Sequence, residues 1–227
     1  DFPQWTVVIS GSQTMGRGRL GRTFFSPSDT GIYMTILLRP SFSLENTVKI
    51  TTAMAVAVSE TIENISGEKT DIKWVNDIYM SERKVCGILT ESAFDYKTNF
   101  LRYAFVGVGI NIYNPKENFP DDIKNIAGYI FSERKSDLRN RIVAGILDRF
   151  SEYYNSIEKN SYFENYKKRL LWIGEKINII SSDGTTSALL KDIDENCRLI
   201  VRYDDNTECV ISSGEISIRK KENSDEE

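Results

Sequence analysis

The chain has 227 residues, 40% hydrophobic and 27% charged, enough for a packed core in one large domain or a domain with a small appendage. A formal net charge of -4 argues against general attraction to nucleic acid, no apolar run approaches the roughly 20 residues of a membrane helix, and no signal peptide is visible. Histidine is absent and the three cysteines, Cys86, Cys197 and Cys209, form no CxxC. That excludes histidine-based acid–base chemistry, speaks against a disulfide framework or a Cys/His zinc site, and fits a reduced, cytoplasmic setting.

In chain order, the β-branched run Thr6 to Ile9 predicts a strand, and Gly11 to Asp29 a loop longer than ordinary connections, a length that points to function. Ile32 to Leu38 reads as a buried strand, and Leu44 to Ile65, apolar at Val48, Ala55, Val58 and Ile62, as a helix ended by Gly67. Asp71 to Tyr79 and Lys84 to Glu91 read as two strands joined by Ser81-Glu82-Arg83. Strand alternation then puts Lys84, Cys86 and Ile88 on one face, Val85 and Leu89 on the other. Arg102 to Ile112 is a strand whose Gly107 and Gly109 leave room for a ligand or a backbone. Leu138 to Ile157 and Tyr162 to Leu171 predict helices.

From Gly174 the texture changes. Lys176 to Ile180, Ala188 to Ile193, Leu199 to Tyr203, Glu208 to Ile211 and Ile216 to Ile218 are five short strands around turns at Asp183-Gly184, Asp194-Glu195-Asn196 and Asp204-Asp205-Asn206, the pattern of a small SH3-like barrel. Cys197 and Cys209 fall in strand-like segments and read as small core residues, and Cys86 too reads as packing. The organisation expected is α+β over 1–171, a barrel over 174–219 and a frayed charged tail over 220–227.

The chemistry concentrates in Gln13-Thr14-Met15-Gly16-Arg17-Gly18-Arg19-Leu20-Gly21-Arg22. Glycine admits close approach and supplies amide donors, while arginine offers a permanently charged fork matched to phosphate and carboxylate, so the loop reads as an anion trap. A solvated Arg/Gly loop is the alternative for this segment alone, and its glycine spacing is neither a Walker A loop nor, without a following helix, a dinucleotide fingerprint. Lys73-Trp74-Val75-Asn76-Asp77-Ile78, Lys84-Val85-Cys86-Gly87-Ile88-Leu89-Thr90-Glu91 and Val106-Gly107-Val108-Gly109-Ile110-Asn111 follow. Singly, Asn76-Asp77 signals a turn and Lys84 an edge charge.

Together and in this order, the four segments resemble the biotin protein ligases. The family pattern is Gln-x-x-Gly-Arg-Gly-Arg-x-Gly-Arg, Lys-Trp-Pro-Asn-Asp, Lys-x-x-Gly-Ile-Leu and Gly-x-Gly-Ile-Asn, and Gly214 to Arg219 is similar to the family's barrel ending. The resemblance covers nearly the whole chain. It implies a class II synthetase-like catalytic domain with a mixed sheet, followed by the SH3-like barrel, in the form without an N-terminal DNA-binding domain. It implies ATP and biotin as substrates, Mg²⁺, and a biotin carboxyl carrier protein or acetyl-CoA carboxylase subunit as partner, with a homodimer left open. Lys84, Arg17 and Arg19 would be catalytic. Gln13, Gly16, Arg17, Gly87 and Gly107 would hold biotin. Arg17, Gly18, Arg19, Arg22, Phe24, Asn76, Asp77, Lys84, Gly109 and Asn111 would hold ATP and the adenylate.

Met15, Phe24 and Val75 stand where the family has a small residue, Trp and Pro. The family's Ser-Thr-Asn stretch does not precede Gly11, so the chain, which opens on Asp1, is expected to be a fragment or to lack that biotin-binding segment. Three other readings stay open at this stage: a lipoate or octanoate protein ligase, a non-catalytic biotin-binding homologue, and an RNA-binding protein, the last opposed by the acidic balance.

Overall fold

The computed structural model describes residues 2–40, 42, 47–95, 97, 100–182, 184–212 and 217–220. β1 (Thr6–Ser10) leads into a long loop, then β2 (Gly31–Leu38) and helix α1 (Thr47–Ser66). β3 (Asp71–Lys73), β4 (Asp77–Met80), β5 (Arg83–Asp95) and β6 (Phe100–Asn111) follow, then helices α2 (Leu138–Asn155) and α3 (Phe163–Lys167). β7 (Lys176–Ser181), β8 (Gly184–Ile193), β9 (Leu199–Arg202), β10 (Glu208–Ile211) and β11 (Ser217–Lys220) make a second sheet. Leu44 at the expected helix start, Asp183, Gly214 to Ile216 and the tail beyond Lys220 lie outside the described residues. Among those described, no helix is long and apolar enough to cross a membrane.

The first sheet runs β1-β2-β6-β5-β4-β3 and the second β10-β9-β8-β7-β11. All ladders between strands of the first are antiparallel, so the mixed character expected there reduces to isolated parallel bridges, Ile72 to Leu170 and Lys84 to Ala127 among them. The α+β architecture with an appended β-module is the one expected. α1 covers one face of the first sheet: Thr51 Oγ1 donates to Thr90 Oγ1 on β5 at 2.7 Å. Residues paired across strands share a face. Cys86 with Ile110, Ile88 with Val108 and Thr90 with Val106 therefore lie under α1, and five of these six are buried.

Four local expectations need correction. The single strand over Asp71 to Tyr79 is instead a hairpin: β3 ends at Lys73, β4 begins at Asp77, and Lys73 pairs with Asp77. Asn76 fixes that turn by donating its amide to Ile88 O at 2.9 Å and Asp77 Oδ1 at 3.0 Å. The next turn is tighter than read, Ser81 and Glu82 alone, both with positive φ (49° and 62°), as a two-residue hairpin requires. Second, a bulge reverses the parity of β5. Ile78 pairs with Cys86 but Tyr79 with Lys84, which leaves Val85 as the extra residue. Lys84 thus shares a face with Gly87, not with Cys86 and Ile88. Third, Cys197 sits in a turn at φ 58°, fully buried, not in a strand. Fourth, α2 stops at Asn155 and α3 spans only Phe163–Lys167. Beyond α3 the chain is captured by β3, through Ile72 N–H to Arg169 O and Leu171 N–H to Ile72 O.

The two sheets meet at the turn that carries Asn76. Trp74 is buried and donates Nε1–H to Cys197 O at 2.9 Å, and the buried Tyr166 hydroxyl donates to Val75 O at 3.2 Å. Buried indole and phenol groups need such partners.

Candidate active site

The face of the first sheet opposite α1 carries Gly87 paired with Gly109, Leu89 with Gly107, and Glu91 with Phe105. Over it folds the loop between β1 and β2, which is a ribbon doubled on itself. Gln13 N–H donates to Ser26 O, Phe24 N–H to Gly16 O, and Gly18 N–H to Arg22 O, at 3.0, 2.9 and 2.7 Å. Gly16 is buried where the two limbs cross, and a Cβ there would stand 2.3 Å from Phe24 O. Only glycine permits that crossing, so Gly16 shapes the ribbon from inside. Gln13 accepts from Ser26 Oγ at 2.8 Å, also within the ribbon. A short 3₁₀ turn, Arg19–Gly21, forms the tip and buries nothing.

Phe24 turns its ring onto the sheet. A Cβ on Gly109 would meet Phe24 Cε1 at 2.5 Å, and one on Gly87 would meet Phe24 Cε2 at 3.1 Å. The room that Gly109 was expected to leave for a ligand is thus filled by this ring. At Gly107 the sheet is bare, since a Cβ there would meet nothing closer than Leu89 O at 3.4 Å. Past it, Arg17 Nη2 pairs with Glu91 Oε2 at 3.0 Å. Gly107 is thus a bare stretch of sheet between Phe24 and the Arg17–Glu91 pair.

A polar chain runs from the ribbon tip to the sheet. Arg19 Nη1 donates to Asn76 Oδ1 at 3.1 Å, Asn76 Nδ2 donates to Asp77 Oδ1 at 3.0 Å, and Lys84 Nζ pairs with the same Asp77 oxygen at 2.7 Å. Lys84 lies across Gly87, whose Cβ would be 3.3 Å from both its Cε and its Nζ. Burial lowers the pKa of Arg19, with Asp77 acting against it. Arg19 also lines a hollow of about 250 Å³ with Thr51, Val75, Ile88 and Thr90. Asn111 donates Nδ2–H to Gly128 O at 3.0 Å. Cys86 is buried with its thiol pKa pushed up by desolvation, as a packing role requires.

Of the residues named by sequence reasoning, Arg19, Asn76, Asp77 and Lys84 form one chain, Lys84 and Phe24 lie against Gly87, Arg17 stands apart on Glu91, and Asn111 is turned to Gly128 O; Gly107 and Gly109 lie on the same sheet face as Gly87. That reasoning missed Lys73, which stands over the Trp172 ring at 5.5 Å. Burial lowers the Lys73 pKa, opposed by Asp77 and reinforced by Lys84, Arg219 and Arg22. Lys84 thus pairs with Asp77 directly, and Arg19 and Lys73 feel the same carboxylate. The signal for Lys73 was its place in the same short segment as Asn76 and Asp77. Glu91 gave none, being one more charge at the end of a strand. Such an arrangement offers cationic groups to an anion beside a bare stretch of sheet.

Comparisons narrow the class. Residues 2–111 match the model of the biotin/lipoate A/B protein ligase family, and residues 172–219 that of the biotin protein ligase C-terminal domain. A bifunctional ligase/repressor BirA from Bacillus spizizenii is 32% identical over 219 residues, covering 93% of this chain. The chain spans 66% of the length of that relative and of its Bacillus subtilis counterpart. A biotin–[acetyl-CoA-carboxylase] ligase from Mycobacterium tuberculosis is 24% identical, covering 92% of this chain and 77% of its own. Among solved structures, a biotin protein ligase from Aquifex aeolicus in complex with biotin and ATP superposes with a TM-score of 0.82 at 26% identity, over 97% of this chain and 91% of that one. The chain belongs to the biotin protein ligase family.

Proposed function

We propose that the protein joins biotin to ATP as biotinyl-5′-AMP and passes the biotin to a lysine of a biotin carboxyl carrier protein, such as an acetyl-CoA carboxylase subunit, in the cytoplasm. The observation that carries this reading is the Arg19–Asn76–Asp77–Lys84 chain, set between a doubled arginine ribbon and a glycine floor. Biotin's carboxylate oxygen attacks the α-phosphorus and pyrophosphate leaves. Two anions must meet, and Lys84, Arg17 and Arg19 offset their repulsion with charge already in place. The carrier amine then attacks the acyl carbon, AMP leaves, and the amine loses its proton. Neither step needs a nucleophilic side chain, which suits a chain without histidine whose cysteine beside Lys84 is buried.

Biotin's rings lie over Gly107 in this reading, with Gln13 and Gly87 at its edges and Gly16 shaping the ribbon around them. Gly18, Arg22 and Phe24 bound the nucleotide side, Gly109 supports Phe24, and Asn111 faces the adenine. Asn76 and Asp77 orient Arg19 and Lys84. In this reading Mg²⁺ enters with the triphosphate, as part of the substrate. Residues 1–171 carry the chemistry in this reading, and the appended barrel starts at Gly174 and runs through Lys220, the last residue of β11.

The test is pyrophosphate release from ATP with biotin or with lipoate, followed by labelling of a carrier domain. Release with biotin alone and labelled carrier are expected. Release with lipoate only would reassign the substrate, and binding without release would leave a biotin-binding protein in place of an enzyme.

A further inference from the structure

Residues 113–137 carry no motif, yet part of that segment touches Lys84 directly. The β5–β6 ladder reaches only Cys86, paired with Ile110, so β6 is no longer beside Lys84. Residues 126–128 take the vacated place. Lys84 N–H donates to Ile126 O at 2.8 Å, Gly128 N–H donates to Lys84 O at 2.9 Å, and Lys84 bridges Ala127 in parallel register. Gly128 O is also the acceptor for Asn111 Nδ2. One residue therefore ties the backbone of the lysine to the side chain of the asparagine.

Residue 128 has no room for a side chain. A Cβ there would stand 2.4 Å from Arg83 Cβ and 3.3 Å from Arg83 Cγ. The nearest of these atoms is fixed to the β5 backbone and cannot swing aside, and Arg83 itself is held, Nη1 donating to Lys124 O at 3.1 Å. We infer that Gly128 is a positioning residue for adenylate formation: its bare Cα lets residues 126–128 lie against β5 and set Lys84 and Asn111 relative to one another. The inference rests on the roles given above to Lys84 and Asn111. Lys84 sits at a bulge, where the ladder with β4 is irregular, so ties on its other side fix where its charge falls. Misplacement of a reacting group by about 1 Å costs on the order of 100-fold in rate.

Gly128→Ala is expected to slow pyrophosphate release about tenfold or more and to raise KM for ATP. The Kd for biotin without nucleotide and the thermal midpoint should stay near wild type. Arg83→Gly alone should leave the rate near wild type, and Gly128→Ala/Arg83→Gly, which removes the obstructing Cβ, should recover most of the lost rate. The double variant also stands in for the single one should that fail to fold. Amide exchange at residues 84 and 128 in the unliganded chain should speed in Gly128→Ala and slow again in the double variant. A wild-type rate in Gly128→Ala, or a folded double variant as slow as the single one, overturns the inference. Unchanged amide exchange overturns the coupling whether or not the chain turns over. Absence of pyrophosphate release by the wild type, with exchange behaving as expected, instead removes the function assigned above and leaves the coupling standing.

Discussion

The arginine ribbon and the sheet beneath it bound one site and are held by different means. In β5 and β6, Cys86, Ile88, Val106, Val108 and Ile110 are all 2% exposed or less, under a helix that is itself almost wholly buried along its first four turns. The ribbon of residues 11–29 buries only Gly16 and Ser26. Its cohesion comes from backbone hydrogen bonds between its own limbs, with the Phe24 ring on Gly87 and Gly109, Arg17–Glu91 and Arg19–Asn76 as ties to the sheet. Burying a large aliphatic side chain contributes about 2 kcal/mol, an exposed ion pair about 0–1. The sheet is therefore pre-set and costly to distort, while the ribbon can lift at smaller cost, as the two-substrate reaction proposed above would require.

The largest effect should come from the floor. Ile110→Ala, at a fully buried position opposite Cys86, should destabilise the fold by about 2–5 kcal/mol in chemical denaturation. A loss below 1 kcal/mol would put floor and ribbon on the same footing and break the contrast. Lys84→Ala should cost about 1–2 kcal/mol of stability by leaving Asp77 short of a partner, and slow adenylate formation about 10²–10³-fold, the loss typical of one preorganised group facing developing charge. Wild-type turnover in that variant would remove Lys84 from the chemistry.

A third change probes how the helix layer is fastened. Glu63 on α1 takes two hydrogen bonds from Arg169, Nε at 3.1 Å and Nη2 at 2.7 Å, and two more from Thr70. Burial pushes the Glu63 pKa up, but the Arg169 and Thr70 bonds outweigh it and the net direction is down. A carboxyl held lower in the folded state stabilises above its unfolded pKa, and that contribution fades as pH falls through the folded value. Arg169→Met should thus cost about 1–3 kcal/mol at neutral pH by leaving a half-buried carboxylate short of partners. Glu63→Gln should flatten the acid limb of a stability–pH profile, and an unaltered limb would refute the linkage. The smallest effect belongs to the ribbon. Glu91→Gln breaks a pair whose side chains are 71% and 47% exposed, so it should change stability by at most about 1 kcal/mol and lose its effect in high salt. Faster amide exchange at Gly18 would show the ribbon lifting; no change would show that its own backbone bonds suffice.

Much of this contrast was legible in the order of residues. Alternation and turn residues marked all five barrel strands, and the arginine–glycine repeat marked the ribbon, because those signals are local. Three features were not legible because each depends on a partner distant in sequence. The β3–β4 hairpin is held by Asn76 bonding to Ile88, the parity of Lys84 is reversed by one unpaired residue in its ladder, and residues 126–128 lie beside Lys84 only because β6 departs. Glu91 and Gly128 escaped for the same reason, since only the fold brings Arg17 and Arg83 against them. The short α3 reflects capture of its continuation by β3, which helical periodicity cannot foresee.

The hydrogen bond from Trp74 Nε1 to Cys197 O has a consequence for dissection of the molecule. The indole stands two residues from Asn76, and its acceptor belongs to the C-terminal module. Expressing the N-terminal portion by itself would strip that donor of its mate and bare the tryptophan to water, loosening the corner on which Asp77 rests. The C-terminal module is in this sense a buttress, and trimming it should blunt catalysis even where it touches no substrate.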